Sequence, residues 1–200
     1  EKLYDNDCDY KKWEKIANSS ISEEKFEKMK ALLLDLDGTI RRPTSGKFIE
    51  DPNDQEPIEG AIKTMEIYHQ EGWIVIGCSN QGGVAAGHKS LKSAIEEQRK
   101  TLEIFPLLYY IYFCPDFEGN LCYGVSRENI DLIHEIRKEF LGQFRKPNCG
   151  MISAALKSFK NLSKALMVGD RSEDEEAAKN AGIHFLSADI WRFPPIDCEF

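Results

Sequence analysis

Cysteine, long apolar runs and surplus positive charge are all scarce in this chain. Six cysteines in 200 residues are too few to staple a small secreted scaffold, so the expectation is free thiols in a reducing, cytoplasmic compartment. No apolar run approaches the roughly 20 residues that a bilayer-spanning helix needs. The first 30 residues are charged and lack the apolar stretch of a signal peptide, and no membrane partner is expected. The first residue is Glu rather than Met, which reads as a trimmed or processed start. Lys and Arg number 26 against 34 Asp and Glu, a net charge of −8, so no broad surface is available to neutralise a nucleic-acid backbone. What remains is ordinary. Hydrophobic residues make up 42% of the chain, enough for one core, and 200 residues is a length at which one domain is usual and two large ones do not fit.

The hydrophobic pattern gives the organisation. Residues 1–29 are polar with scattered apolar positions, and Ser20 to Glu23 fits a helix-capping box, so an N-terminal helical extension is expected before a main domain over 30–200. Ala31 to Leu34 is a short, continuous apolar run ending in Asp35-Leu36-Asp37-Gly38-Thr39, as a strand buried on both faces would. Residues 40–57 hold Pro43, Gly46, Pro52 and Pro57 and read as a long irregular loop. A helix over 59–70, a strand over 73–76, a turn over 79–83, a helix over 88–104 and a strand over 107–113 follow. Helical spacing recurs over 128–144 and 149–159. A fourth apolar run over 165–168 ends at Gly169-Asp170, and a helix (173–181) leads to a last run over 183–186. Alternating strands and helices predict an α/β, Rossmann-like, mostly parallel sheet with helices on both faces. Ligands in such sheets bind beyond the carboxyl ends of the strands, where Asp35, Asp37, Ser79, Asn80 and Asp170 stand.

Asp35 and Asp37, two residues apart where a strand runs out, invite a metal, although an Asx-type turn would explain either one alone. Ser79 read singly would cap a turn, Lys146 would be a solvated lysine, and Asp174 would be a first-turn acid complementing the helix dipole. Their joint order carries more. D-L-D-G-T (35–39), C-S-N-Q (78–81), R-K-P (145–147) and V-G-D-R-S-E-D (168–174) follow one another, most of them just after predicted strands. In this the chain resembles the haloacid dehalogenase superfamily of aspartate-nucleophile phosphohydrolases over about residues 31–187. The stretches S-N-Q-G-G-V-A-A-G, Y-F-C-P and R-K-P-x-x-G-M are similar to the small branch that holds heptose bisphosphate phosphatases, histidinol-phosphate phosphatases and the 3′-phosphatase domain of polynucleotide kinase.

The resemblance implies a role for each residue. Asp35 would be the nucleophile, forming an aspartyl-phosphate. Asp37 would protonate the leaving oxygen and later take a proton from water. Asp170, with Asp35 and the Asp37 main-chain carbonyl, would hold Mg²⁺. Thr39, Ser79 and the amide of Asn80 would grip the phosphoryl group, Lys146 would neutralise it, and Asp174 would order metal-bound water or Lys146. Phosphate monoesters hydrolyse so slowly that enzymes accelerate them by up to ~10²¹, whereas one positioned donor contributes about 10² to 10³, so the set must act together.

The intervals between motifs leave no room for a large cap domain, which puts access under the control of the 40–57 and 115–126 loops. Arg41, Arg42 and Arg145 are candidates for a second phosphate or a carboxylate through planar bidentate contacts. Related phosphatases often carry a zinc loop, but here only Cys114 matches. Residue 116 is Asp, and Gly142 and Phe144 stand where later cysteines would, so no zinc is expected. The leading expectation is a Mg²⁺-dependent phosphatase of a small sugar phosphate or bisphosphate, monomeric or weakly oligomeric. A polynucleotide 3′-phosphatase is the alternative, disfavoured by the net charge unless basic residues cluster around Arg41, Arg42 and Lys47. A catalytically idle scaffold is the third, opposed by the intact acidic set.

Overall fold

A computed structural model of the chain describes residues 29–46, 48–159 and 161–193. The helical extension expected over 1–29 lies almost entirely outside the described residues. Strand β1 (Met29–Leu34) is followed by the two-residue strands β2 (Arg41–Arg42) and β3 (Glu56–Pro57), helix α1 (Ala61–Gln70) and strand β4 (Trp73–Asn80). Helix α2 (Leu91–Ile104), strand β5 (Leu108–Cys114) and the short strands β6 (Tyr123–Val125) and β7 (Ile130–Leu132) come next. The chain continues through α3 (Ile133–Ile136), a 3₁₀ turn (Lys138–Phe140), α4 (Gly150–Lys157), β8 (Leu162–Gly169), α5 (Ser172–Ala181), β9 (His184–Ser187) and α6 (Ala188–Arg192).

Seven strands form one sheet in the order β7-β6-β5-β4-β1-β8-β9, parallel from β5 to β9. Strand β1 sits at the centre of the five parallel strands because its side chains are apolar on both faces. Leu32 and Leu34 enter the core roofed by α1, α2 and α6, with Tyr68, Leu102 and Trp191, whereas Ala31 and Leu33 enter the opposite core with Met151, Met167 and Ala177 of α4, β8 and α5. Period-two alternation thus serves two cores at once.

Three expectations are corrected. The helical spacing over 128–144 holds only for single turns. Residues Ile130–Leu132 instead pair antiparallel with β6, which pairs with β5. Arg127 fixes this departure by donating to the carbonyls of Leu102, Pro106 and Leu108 at 2.9–3.0 Å, which ties the hairpin to the end of α2. The 40–57 segment is likewise not wholly irregular, since Arg41 and Arg42 pair with Pro57 and Glu56 and pinch it into a hairpin-like flap. The turn expected at Ser79 begins two residues later, because β4 runs through Asn80.

The sheet changes direction of winding at β1, which leads to β4 on one side and pairs with β8 on the other. The crevice beyond the carboxyl ends of these three strands receives Asp35, Ser79 and Asp170. No large cap covers it among the described residues, and no described helix is long and apolar enough to cross a membrane.

Candidate active site

Lys146 is the hub of the crevice. Its ammonium donates to Asp35 Oδ1 at 2.6 Å, Asp174 Oδ1 at 2.6 Å and the Cys78 carbonyl at 2.8 Å. The group has three donors and all are engaged. Asn80 sets the main chain that carries it: its Nδ2 donates to the Lys146 carbonyl at 2.9 Å, and its Oδ1 accepts from the Lys146 amide at 3.0 Å. Burial would lower the Lys146 pKa, but the two carboxylates push it up instead. Asp35 is 7% exposed. Burial raises its carboxyl to about 7 against the pull of Lys146, and Asp174 adds to the rise. A nucleophile must be ionised, so this site calls for further positive charge.

The surrounding acids show where that charge would go. Carboxylate oxygens of Asp35, Asp170 and Asp174 lie within 4.8 Å of one another. Asp174 is already committed to Lys146 and to the Arg171 amide, at 3.1 Å. Asp170 is exposed to the crevice, leaving Asp35 and Asp170 as hard oxygen donors of the kind that suits Mg²⁺. Two glycines permit this crowding. Gly169 leaves room for the Asp174 side chain, and Gly38, at φ +90°, lies where a Cβ would overlap the Asp170 carboxylate. Gly38→Ala is therefore expected to lower stability by about 1–3 kcal/mol through backbone strain and to weaken activity at least about tenfold by displacing Asp170. Thermal unfolding and kcat measured side by side check both effects.

The structure brings Thr39 and Ser79 into the same crevice, both buried, but with partners the sequence does not show. Thr39 turns its hydroxyl to Asp35 Oδ2 at 3.2 Å, which orients that carboxylate. Ser79 Oγ accepts from Gln81 Nε2 at 3.0 Å. Cys78, wholly buried, has its thiol pushed up to about 12 by burial and is unreactive core.

Arg41 is not placed as expected. Rather than facing substrate it is buried, and each of its five N–H donors has an acceptor. Nε and Nη2 meet Asp37 at 2.9 and 3.3 Å, Nη2 meets Glu97 at 2.6 Å, and Nη1 meets Gln55 at 3.2 Å and Thr101. Burial would raise the Asp37 carboxyl, but Arg41 more than offsets this and holds it below the usual range. Arg42 is also redirected, forming an exposed ion pair with Glu56 at 2.8 Å. Arg145 lies with its Cζ 5.2 Å from the centre of the exposed Phe117 ring. Phe117 belongs to the 115–126 loop, which Asp116 organises by accepting from the amides of Asn120 and Leu121 at 2.8 and 3.1 Å and from the Cys114 thiol at 3.2 Å.

Sequence reasoning missed Gln81, Lys89, Glu97 and Arg192. Gln81 follows the S-N pair and was open to notice as the next side chain after β4. Glu97 and Lys89 carry no motif. Arg192, at the end of α6, donates to the Gly38 and Thr39 carbonyls at 3.0 and 2.8 Å and so clamps the turn that follows the nucleophile.

This geometry can be set beside known proteins. The model of the family described as polynucleotide kinase 3 phosphatase matches residues 30–192. The chain belongs to that family. The chain is 28% identical over 162 residues to the D-glycero-D-manno-heptose-1,7-bisphosphate 7-phosphatase of Thermosynechococcus vestitus, covering 77% of this chain and 76% of that one. It is 29% identical over 166 residues to the D-glycero-beta-D-manno-heptose-1,7-bisphosphate 7-phosphatase of Haemophilus ducreyi, covering 77% and 79%. The fold is shared with the D,D-heptose 1,7-bisphosphate phosphatase of B. bronchiseptica, solved with magnesium and phosphate, at a TM-score of 0.57 and 22% identity, covering 78% of this chain and 79% of that one. The chain is thus a phosphatase of the haloacid dehalogenase type.

Proposed function

We propose that this phosphatase hydrolyses a small phosphomonoester of the sugar phosphate or bisphosphate class through an aspartyl-phosphate, with Mg²⁺ as cofactor. The carrying observation is the Lys146 ammonium held 2.6 Å from Asp35 Oδ1 with Asp170 beside it. A carboxylate backed by a fixed cation is a nucleophile whose product charge is already answered. An Asp35 oxygen bonds to phosphorus as the bond to the leaving oxygen breaks, and Asp37, ionised in the free protein and taking up a proton once the negative phosphoryl group is bound beside it, passes that proton to the leaving oxygen. Water then attacks phosphorus, Asp37 takes back a proton, and inorganic phosphate leaves with Asp35 restored. Ser79 Oγ and the Asn80 amide bind the phosphoryl oxygens. Asp35, Asp170 and the Asp37 main-chain carbonyl would hold Mg²⁺, which supplies charge neutralisation on the phosphoryl group.

The substrate class follows from what the nearby cations are doing. A polynucleotide end needs a basic track, but Arg41 is enclosed with Asp37 and Glu97 and Arg42 is paired with Glu56. Lys47 lies outside the described residues. Arg145, half-buried against Phe117, is left to meet a second phosphate or a hydroxyl-rich substrate. The two named relatives point the same way, and the family's description supplies the rival. A phosphate-release panel of sugar bisphosphates, histidinol phosphate and 3′-phosphorylated oligonucleotides, with and without Mg²⁺, decides between them. Release from a sugar phosphate in Mg²⁺ at least about tenfold above the oligonucleotide supports the reading. Preference for the oligonucleotide reverses it.

A further inference from the structure

We propose that Glu97 is a positioning residue for phosphoryl transfer, which through Arg41 and Lys89 fixes the direction in which the Asp37 carboxyl faces the leaving group. The inference rests on Asp37 being the proton donor, and goes beyond it by bringing in helix α2, which contributes no motif residue.

Glu97 is 1% exposed on α2, an environment in which a carboxylate persists only with close counter-charges. It has two. Arg41 Nη2 donates to Oε1 at 2.6 Å, and the Lys89 ammonium donates to Oε2. Each cation then reaches Asp37 by its own route. Arg41 spans both Asp37 oxygens, with Nε to Oδ1 at 2.9 Å and Nη2 to Oδ2 at 3.3 Å. Lys89 donates to Gln81 Oε1 at 2.9 Å, and Gln81 Nε2 donates to Asp37 Oδ2 at 3.2 Å. The result is a closed ring of two cations, two anions and one amide. Gln55 and Thr101 hold its outer edge, with Gln55 Nε2 donating to the Glu97 carbonyl at 3.1 Å and the Thr101 hydroxyl lying 2.8 Å from Gln55 Oε1.

The ring explains something that Arg41 alone does not. A carboxyl group turns easily about its last torsion, so an aspartate that must deliver a proton along one line needs its orientation imposed from outside. A planar guanidinium does this only if its own plane is fixed, and Glu97 fixes it by accepting from the same Nη2 that reaches Asp37 Oδ2. The Asp37 side chain remains 37% exposed, so the ring grips it from within while it stays open to the crevice. Buried ion pairs are often no better for stability than an apolar replacement, which makes orientation the more economical reason for placing four charges here.

Leaving-group dependence tests the proposal. A sugar or other alkyl phosphate expels an alkoxide-like oxygen that requires Asp37, whereas 2,4-dinitrophenyl phosphate expels a stable anion that needs no proton. For Glu97→Gln the expected result is a fall in kcat of about 10²-fold on the alkyl phosphate, the size of a general-acid contribution, with KM little changed and the dinitrophenyl substrate losing less than about threefold. Glu97→Asp is expected to recover part of the loss. The double variant Lys89→Met with Glu97→Gln removes one charge of each sign, and is expected to show the same selective loss if the single variant folds poorly. Equal losses on both substrates, or none on the alkyl phosphate, would overturn the role of Glu97. A wild type inactive on both substrates in Mg²⁺ would instead overturn the function proposed above.

Discussion

Replacing Asp35 by Asn is expected to abolish phosphate release, by at least about 10⁴-fold, while leaving the metal-free protein at least as stable as the wild type. The first effect follows from losing the nucleophile, the second from losing a buried carboxylate. Burial raises the Asp35 carboxyl to about 7, so the folded protein binds this proton more tightly than the unfolded chain does. Between about pH 4, where an unperturbed Asp titrates, and about 7, the folded state carries the extra proton, and stability falls as pH rises through that window before levelling off. Asp37 does not mask the trend. Its pKa lies below the usual range, so its favourable contribution is complete above about pH 4 and constant thereafter. In Asp35→Asn the slope is expected to flatten, and the variant to gain on the order of 1 kcal/mol relative to wild type at pH 8 in chelator. Urea unfolding at pH 5 and pH 8 reads this directly. A variant less stable than wild type at pH 8 would show that Lys146 needs Asp35 more than Asp35 suffers from burial.

Lys146→Met is expected to do the reverse and damage both properties. The ammonium is the shared partner of Asp35 and Asp174, at 2.6 Å from each, and all three residues are buried. Methionine fills similar space but leaves two carboxylates facing each other, and removing one member of a buried ionic set costs about 3–5 kcal/mol. Loss of the cation that meets the phosphorylated aspartate should lower kcat by at least about 10³-fold. Added Mg²⁺ is expected to restore part of the stability and little of the rate, because charge can be replaced there but not the fixed ammonium. An unchanged urea midpoint would mean that the acids take up protons at no cost, and that the ionic hub contributes nothing to the fold.

Asp35 was legible in the sequence because its signal is local, whereas Lys146, which read singly would be a solvated lysine, gained its role only from the resemblance. A buried parallel strand is a short apolar run, and the residues that end it project into the crevice, so Asp35, Ser79 and Asp170 follow from pattern and topology together. Arg41 was misread for a physical reason. Two residues past a catalytic turn it looks available, and only the docking of α2 beneath the flap shows that Glu97 and Thr101 claim it. Glu97 itself reads as one more solvated helix acid, since nothing in residues 91–104 distinguishes a glutamate that turns inward. The 128–144 stretch failed differently. Its apolar spacing does suit a helix, but β5 presents an edge that Tyr123–Val125 and Ile130–Leu132 extend, and pairing across the sheet outweighs local periodicity.

The clamp by Arg192 bears on when the site comes into being. The carbonyls it holds belong to Gly38 and Thr39, more than 150 positions earlier in the chain. A chain emerging from the ribosome makes its nucleophile among the first described residues and the guanidinium that steadies the neighbouring turn among the last. Strand β8, which flanks β1, also arrives late. Phosphatase competence therefore belongs to no early folding fragment, since the turn beside Asp35 is fully fastened only after α6 has closed over it.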